Sequence, residues 1–269
     1  MGTMKDGIEL VLGDGIKWLE RQKPSSIDGI FSDPPWGAGP NIVGQAEWKD
    51  LISRMSRAAY RALKPGGRVL IWVGINRMDG AIRAVTKRLT FSGAIVIRTI
   101  PPTCRGRWVL GGDHVLIYGK KGYARPKAKM AAGEITLPSL YGNFTSSGVR
   151  SGPDTDHPCA RDHRPATIIA RQWFGPGERV VDPFGGSAVI ACALADVGAL
   201  ATSIDIDPKM HKTAVNRVAH RTPNLFRERA NGTQDQDHLF DLRPGAAGKK
   251  RKSGRGIRRQ VRLRAPSRV

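Results

Sequence analysis

Apolar residues in this chain fall into short dense runs, separated by longer stretches in which they recur every three or four positions. Short apolar runs bounded by turn formers read as buried strands, and the wider spacing reads as helices packed on one face. The runs at residues 8–12, 27–31, 68–73, 94–99, 114–118, 179–181 and 200–204 are predicted strands. Residues 15–21, 46–63, 77–89, 165–174, 187–197 and 208–220 are predicted helices. Lys64-Pro65-Gly66-Gly67 closes the second helix, because proline cannot continue it and glycine tolerates the turn that follows. Seven strands separated mostly by helices predict a doubly wound α/β fold with a mostly parallel, seven-stranded sheet. Ligands of such sheets bind at the carboxyl ends of the strands. Four predicted strands end on an acid and a turn, at Asp14, Asp33, Asp182 and Asp205. Together they predict a polar ligand along one edge of the sheet.

The periodicity fails in two places. Between residues 119 and 156 the chain is rich in Gly, Ser, Pro, Lys and Arg, with Tyr123, Tyr141 and Phe144 scattered through it. This reads as a loop-dominated insertion. After residue 220 the chain turns polar and ends in a low-complexity basic stretch, read as disordered. The expected division is a domain at 1–220 that contains the insertion, followed by a tail at 221–269.

Charge sharpens that division. The formal net charge is +21, and the stretch from Arg243 to Val269 holds eleven Lys or Arg and no acid. Both the tail and the excess left on the folded part point to a polyanionic partner; a solubilising tail is the alternative. Arg105, Arg107, Lys120, Lys121, Arg125, Lys127 and Lys129 flank or lie within the insertion and are candidate nucleic-acid contacts. Tyr123, Tyr141 and Phe144 are either stacking residues or a small local core. The most apolar stretch, residues 180–204, is interrupted by Asp182 and Asp196, so no membrane span is expected. Cys104, Cys159 and Cys192 lack metal-ligand spacing, and His114 and His157 lie on different segments, so no metal site is expected. Free thiols suit a reducing cytoplasm.

Two segments carry chemistry. Ser32-Asp33-Pro34-Pro35-Trp36 follows an apolar strand directly. Two prolines fix φ twice and stiffen the loop, presenting the Asp33 carboxylate, the Pro34 carbonyl and the Trp36 ring in fixed relation. An aromatic amine fits there, its two N–H groups donated to the carboxylate and the carbonyl while its ring stacks on the indole. The second segment, Asp182-Pro183-Phe184-Gly185-Gly186-Ser187, lies between a strand and an apolar helix. Two glycines permit close backbone approach, and the helix start offers N–H groups to a carboxylate. An amino-acid moiety fits, with Asp182 toward its ammonium; Asp205, at the end of the next strand, suits a ribose diol. A plain β–α connection is the other reading of the glycine turn.

The order of these segments resembles the amino-methylating DNA methyltransferases, in the permuted class whose catalytic segment precedes the cofactor loop. The resemblance is carried by Leu12-Gly13-Asp14-Gly15, Ser26 through Trp36, Leu63-Lys64-Pro65-Gly66-Gly67, Asp113 through Lys120, His157-Pro158, Arg164-Pro165, Val181 through Ser187 and Ser203 through Asp207. It covers most of residues 8–220. It implies the class I methyltransferase fold, S-adenosylmethionine as cofactor and DNA as substrate, with the target base flipped out of a duplex. Asp33, Pro34, Pro35 and Trp36 would hold the base. Asp14, Asp33, His157, Arg164, Asp182, Pro183, Phe184, Gly185, Gly186, Ser187 and Asp205 would surround the cofactor, with Asp14 near its adenine. An aspartate opening the Pro-Pro motif favours adenine N6; cytosine N4, adenine in RNA and an inactive nucleic-acid-binding relative are the alternatives. A homodimer is compatible with the resemblance, and the setting it implies is bacterial or phage-type cytoplasm beside the nucleoid. Three positions depart from the family pattern: Arg164 replaces lysine, Ala188 replaces glycine and Trp36 replaces the commoner tyrosine.

Overall fold

The computed structural model describes residues 3–35, 44–105, 108–125, 139–144 and 163–221. In chain order the elements are β1 (Thr3–Lys5), β2 (Ile8–Leu12), α1 (Gly15–Arg21), β3 (Ile27–Ser32) and α2 (Gln45–Ala62). Then come β4 (Leu63–Val73), α3 (Ile75–Val85), β5 (Thr90–Arg105), β6 (Trp108–Gly119) and β7 (Ser139–Phe144). The last five are α4 (His163–Trp173), β8 (Arg179–Asp182), α5 (Val189–Asp196), β9 (Leu200–Asp205) and α6 (Pro208–Ala219). All lie within one compact unit, Met1–Asn231; the second unit, Gly232–Val269, falls outside the described residues.

Local chemistry sets the element ends. Asp14 starts α1 by accepting the Ile16 and Lys17 amides at 2.9 and 3.1 Å, satisfying donors that the first turn leaves open. Asp207 does the same for α6, with Pro208 in its first turn. The stop at Lys64-Pro65-Gly66-Gly67 ends α2 at Ala62, and Gly66 takes a φ of +76° in the turn leading into the buried run of β4.

The strands form one sheet in the order β1-β2-β9-β8-β3-β4-β6-β5-β7. Pairs β2/β9, β9/β8, β8/β3, β3/β4 and β5/β7 are parallel; β1/β2, β4/β6 and β5/β6 are antiparallel. The seven predicted strands are β2, β3, β4, β5, β6, β8 and β9, and the doubly wound fold is as expected. Buried side chains fill both faces. Ala166, Ile169, Ile190, Leu194, Ala214 and Val218 pack α4, α5 and α6 against one side with Phe31, Leu70 and Trp72. Ile16, Leu19, Trp48, Ile52, Ala81 and Val85 pack α1, α2 and α3 against the other with Ile30, Val69 and Ile71.

Three features depart from the sequence reading. One is β1, a short edge strand antiparallel to β2 that no apolar run announces. The insertion contributes a strand, β7, which pairs with β5 in broken register at the sheet edge; Gly142 and Asn143 inside it hide the strand pattern. β5 and β6 are also much longer than predicted. Their register slips between Arg98 and Thr103, where Pro101-Pro102 interrupts the ladder, so the apolar pattern stops while the pairing resumes. Val73, the last residue of β4, pairs with His114, so residues 108–113 of β6 run on past it. At the usual strand rise this arm projects about 20 Å beyond the carboxyl edge of the sheet.

Winding reverses between β3 and β8. From β3 the chain steps through α2 to β4 on one side, and from β8 through α5 to β9 on the other. The carboxyl ends of these two neighbours therefore flank the crevice in which doubly wound sheets bind ligands.

Candidate active site

The two chemistry-bearing segments meet at that crevice. Ser32, the last residue of β3 and fully buried, donates its hydroxyl to Asp182 Oδ1 at 2.5 Å. The same oxygen accepts the Phe184 amide at 3.1 Å. Asp182 is only 2% exposed. Burial pushes its carboxyl up to about 7, the negative charges of Asp33 and Asp205 push the same way, and the two hydrogen bonds oppose them. Asp33 is half-buried and Pro34 buried at the mouth of the crevice. Trp36 lies outside the described residues.

The glycine turn is fixed by its neighbours. Gly185 donates to the Ile204 carbonyl at 2.8 Å and Gly186 to Asp205 Oδ2 at 2.7 Å; Asp205 Oδ1 accepts the Asp207 amide at 2.8 Å. A Cβ on Gly185 would sit 1.9 Å from Ser203 Oγ, so the bare backbone of the turn lies against the Ser203 side chain of β9. On the other side a Cβ on Gly15 would lie 2.0 Å from the Pro183 carbonyl oxygen, which seats α1 against the turn. Gly13 also donates to the Asp205 carbonyl at 2.8 Å. The ends of β2, β9, β8 and β3 thus stand side by side, and Asp14, Asp205, Asp182 and Asp33 share one edge, as the four strand-end acids predict. Ser187 and Ala188 are buried beneath the turn, and α5 begins at Val189, with no side chain capping its first amides.

No family model matches the chain. The DNA adenine methyltransferase YhdJ of Escherichia coli (strain K12) is 21% identical over 240 residues, which are 78% of this chain and 82% of that protein. Among solved structures, the cytosine-N4-specific PvuII DNA methyltransferase superposes with a TM-score of 0.67 at 16% identity, over 81% of this chain and 88% of its own. The M1.HpyAVI–SAM complex gives 0.61 at 20% identity, over 78% of this chain and 98% of its own. The chain has the fold of the amino-group DNA methyltransferases. The resemblance read from the motifs therefore extends to the whole sheet.

Within this methyltransferase fold, several predicted residues take places of their own. Asp14 reaches the expected edge, and Oδ1 of its carboxylate accepts the α1 amides. Arg164 is exposed next to His163, whose ring lies 3.2 Å from Asp196 Oδ2 in the last turn of α5. The His163 ring thus contacts the far end of α5. Ala188, where the family has glycine, holds a left-handed backbone with φ +61°. That conformation suits glycine and costs an L-residue about 1 kcal/mol or more. His157 lies outside the described residues.

The basic candidates separate into two groups. Lys120, a candidate nucleic-acid contact, is 7% exposed, donates Nζ to the Leu63 carbonyl at 2.6 Å and stands over the Tyr60 ring. Lys121 and Arg125 are exposed, but they follow β6, whose last residue pairs with Arg68 near the start of β4. They are therefore at the edge opposite Asp33, because β6 runs antiparallel and delivers its end there. Arg105 ends β5 on the projecting arm, on the Asp33 side. Arg107, Lys127 and Lys129 lie outside the described residues. Three residues at the site are given no role in the sequence reading. Ser32 opens the Asp-Pro-Pro segment there, but without an assigned function. Leu12 and Ile206 are 51% and 71% exposed despite being apolar, and they flank Asp205 at the ends of β2 and β9. An apolar residue beside a strand-end acid was the signal there.

Proposed function

We propose that this protein is a DNA methyltransferase that transfers a methyl group from S-adenosylmethionine to adenine N6. The observation that carries the reading is the meeting of the Asp33-Pro34 loop with the glycine turn at the switch point, with Ser32 bonded to Asp182 between them. The residues present suit the cofactor. Exposed Leu12 and Ile206 offer apolar walls to an adenine ring, and Asp205, each of whose oxygens has a lone pair to spare, suits a ribose diol. The uncapped amides of α5 suit a carboxylate, and Asp182 in its ionised form suits an ammonium. Pro183, Phe184 and Ser187 form the turn between these groups.

Bound S-adenosylmethionine supplies an electrophilic methyl group on its sulfonium. Asp33 accepts one N–H of the target amine and the Pro34 carbonyl the other, turning the nitrogen lone pair toward that methyl group. The motif gives Trp36 the role of stacking on the base. Asp33, already hydrogen-bonded to the amine N–H, would take the proton that the nitrogen loses on methylation, while the C–S electron pair would stay on sulfur.

A base inside a duplex cannot reach this crevice, so the reading includes base flipping. The β5–β6 arm, with Arg105 near its end, supplies a surface for the DNA backbone on the correct side. Residues 1–220 form the catalytic domain in this proposal, the insertion at 119–156 aids target recognition, and the tail at 221–269 adds salt-dependent affinity. Such an enzyme works in the cytoplasm, beside the nucleoid. Adenine is favoured by the aspartate that opens the Pro-Pro motif and by the likeness to YhdJ.

The test is transfer of label from radioactive S-adenosylmethionine to unmodified DNA or RNA, followed by digestion to nucleosides. N6-methyldeoxyadenosine supports the proposal, while label in N4-methyldeoxycytidine or in RNA overturns the choice of target. Asp33→Ala abolishes transfer and leaves cofactor binding measurable; unchanged activity would refute the catalytic assignment.

A further inference from the structure

In the proposed reaction the Asp33 loop and the glycine turn are two half-sites, one for the amine and one for the cofactor. Ser32 and Asp182 at their starts are 150 residues apart in sequence, yet a single hydrogen bond joins them. Ser32 is 0% exposed and Asp182 2% exposed, so water cannot substitute for either partner. The Oγ–Oδ1 distance of 2.5 Å is that of a charge-assisted O–H to carboxylate bond. The next residue after Ser32 is Asp33, and the amide of Phe184, two residues after Asp182, closes on the same oxygen. One carboxylate oxygen therefore holds both the start of the Pro-Pro loop and the start of the glycine turn.

We propose that Ser32 is a positioning residue: its buried hydroxyl, bonded to Asp182, ties the Asp33-Pro34 loop to the glycine turn and sets the distance across which the methyl group moves. The proposal rests on the methyl-transfer reading of the two loops. A near-attack geometry tolerates little error, and a loop end free to shift by an ångström loses much of the rate. The bond has a second effect. Both charges acting on Asp182, those of Asp33 and Asp205, are negative, and burial also resists its ionisation. The Ser32 and Phe184 donors favour the ionised form. Ser32 thus helps keep Asp182 ready to receive an ammonium, as well as holding the loop.

Full-length wild type, Ser32→Ala and Ser32→Thr separate this role from simple packing. In the ligand-free protein, the carboxyl signal of Asp182 is followed by NMR across pH. With ligand, the dissociation constant of S-adenosylmethionine is measured by equilibrium dialysis and kcat by label transfer. In Ser32→Ala the Asp182 titration moves to higher pH, and cofactor binding weakens near neutrality in step with it. At about pH 9, where the carboxyl is ionised in either protein, binding returns to the wild-type level while kcat stays about tenfold or more down. Ser32→Thr, which keeps the hydroxyl, restores both. If the alanine variant does not fold, Ser32→Cys, nearly the same size and a weak donor, shifts both readouts in the same direction. Wild type that binds no S-adenosylmethionine overturns the methyl-transfer reading itself. A wild type that binds and transfers, beside an alanine variant with an unmoved titration or undiminished kcat, overturns the role of Ser32 alone.

Discussion

Replacing Asp182 with asparagine removes an ionisation that the fold resists, and the effect on stability has a definite sign. The carboxyl starts from an ordinary value of 3.8 and is held near 7 in the folded chain, mainly by burial. Between those values the folded state binds a proton that the unfolded state has released. The stability from this group is therefore fully present below about pH 4 and is lost as pH rises through about 7. A tenfold difference in proton affinity between the two states is worth about 1.4 kcal/mol. The full difference is therefore about 4 kcal/mol, and the part falling between pH 5 and 8 is roughly 2–3 kcal/mol. An asparagine in this place would still accept from Ser32 and Phe184 through its amide oxygen, so the local bonds survive while the titration disappears. The assay is urea unfolding of ligand-free wild type and Asp182→Asn at several pH values from about 5 to 8. Wild type loses stability relative to the variant by roughly 2–3 kcal/mol across that range, and the titrating groups remote from Asp182 cancel in the difference. Parallel profiles for the two proteins would refute the reasoning, since they would mean that Asp182 ionises in the folded chain as it does in water.

Further predictions concern the backbone and the basic residues. Ala188→Gly exchanges left-handed strain against chain entropy and one buried methyl group, so its stability stays within about 1 kcal/mol of wild type. Ala188→Val, a β-branched residue at φ +61° in a fully buried position, costs about 2 kcal/mol or more by thermal unfolding. Gly15→Ala drives a methyl group into the Pro183 carbonyl and lowers stability by about 3 kcal/mol; a loss under about 1 kcal/mol would show that the β2–α1 and β8–α5 turns do not touch as described. Lys120→Ala lowers stability by about 1–2 kcal/mol through loss of the Leu63 carbonyl bond. It leaves the salt dependence of DNA binding unchanged, whereas Arg105→Ala flattens it; equal slopes in filter binding for the two variants would count against the projecting arm.

The sequence by itself determined the parts whose cause is local. Strands β2, β3, β8 and β9 are dense apolar runs that end at or just before Asp14, Asp33, Asp182 and Asp205, and the parallel doubly wound sheet follows from runs alternating with helices. Because every parallel strand of such a sheet delivers its end to the same side, the shared edge of these four acids was legible before any coordinates. The stop at Lys64-Pro65-Gly66-Gly67 was legible for the same reason, since proline and glycine act on their own backbone. Tertiary structure alone decided what depends on pairing between distant segments. The Ser32–Asp182 bond spans 150 residues, and no local pattern pairs the one residue with the other. The reach of β5 and β6 past Pro101-Pro102 is set by a ladder that resumes after the prolines, which a single-strand pattern cannot register. The assignment of Lys120 to a buried carbonyl and of Lys121 and Arg125 to the far edge follows from β6 running antiparallel to β4. Charge composition says how many cations the chain carries, and strand direction says which end of the sheet receives them.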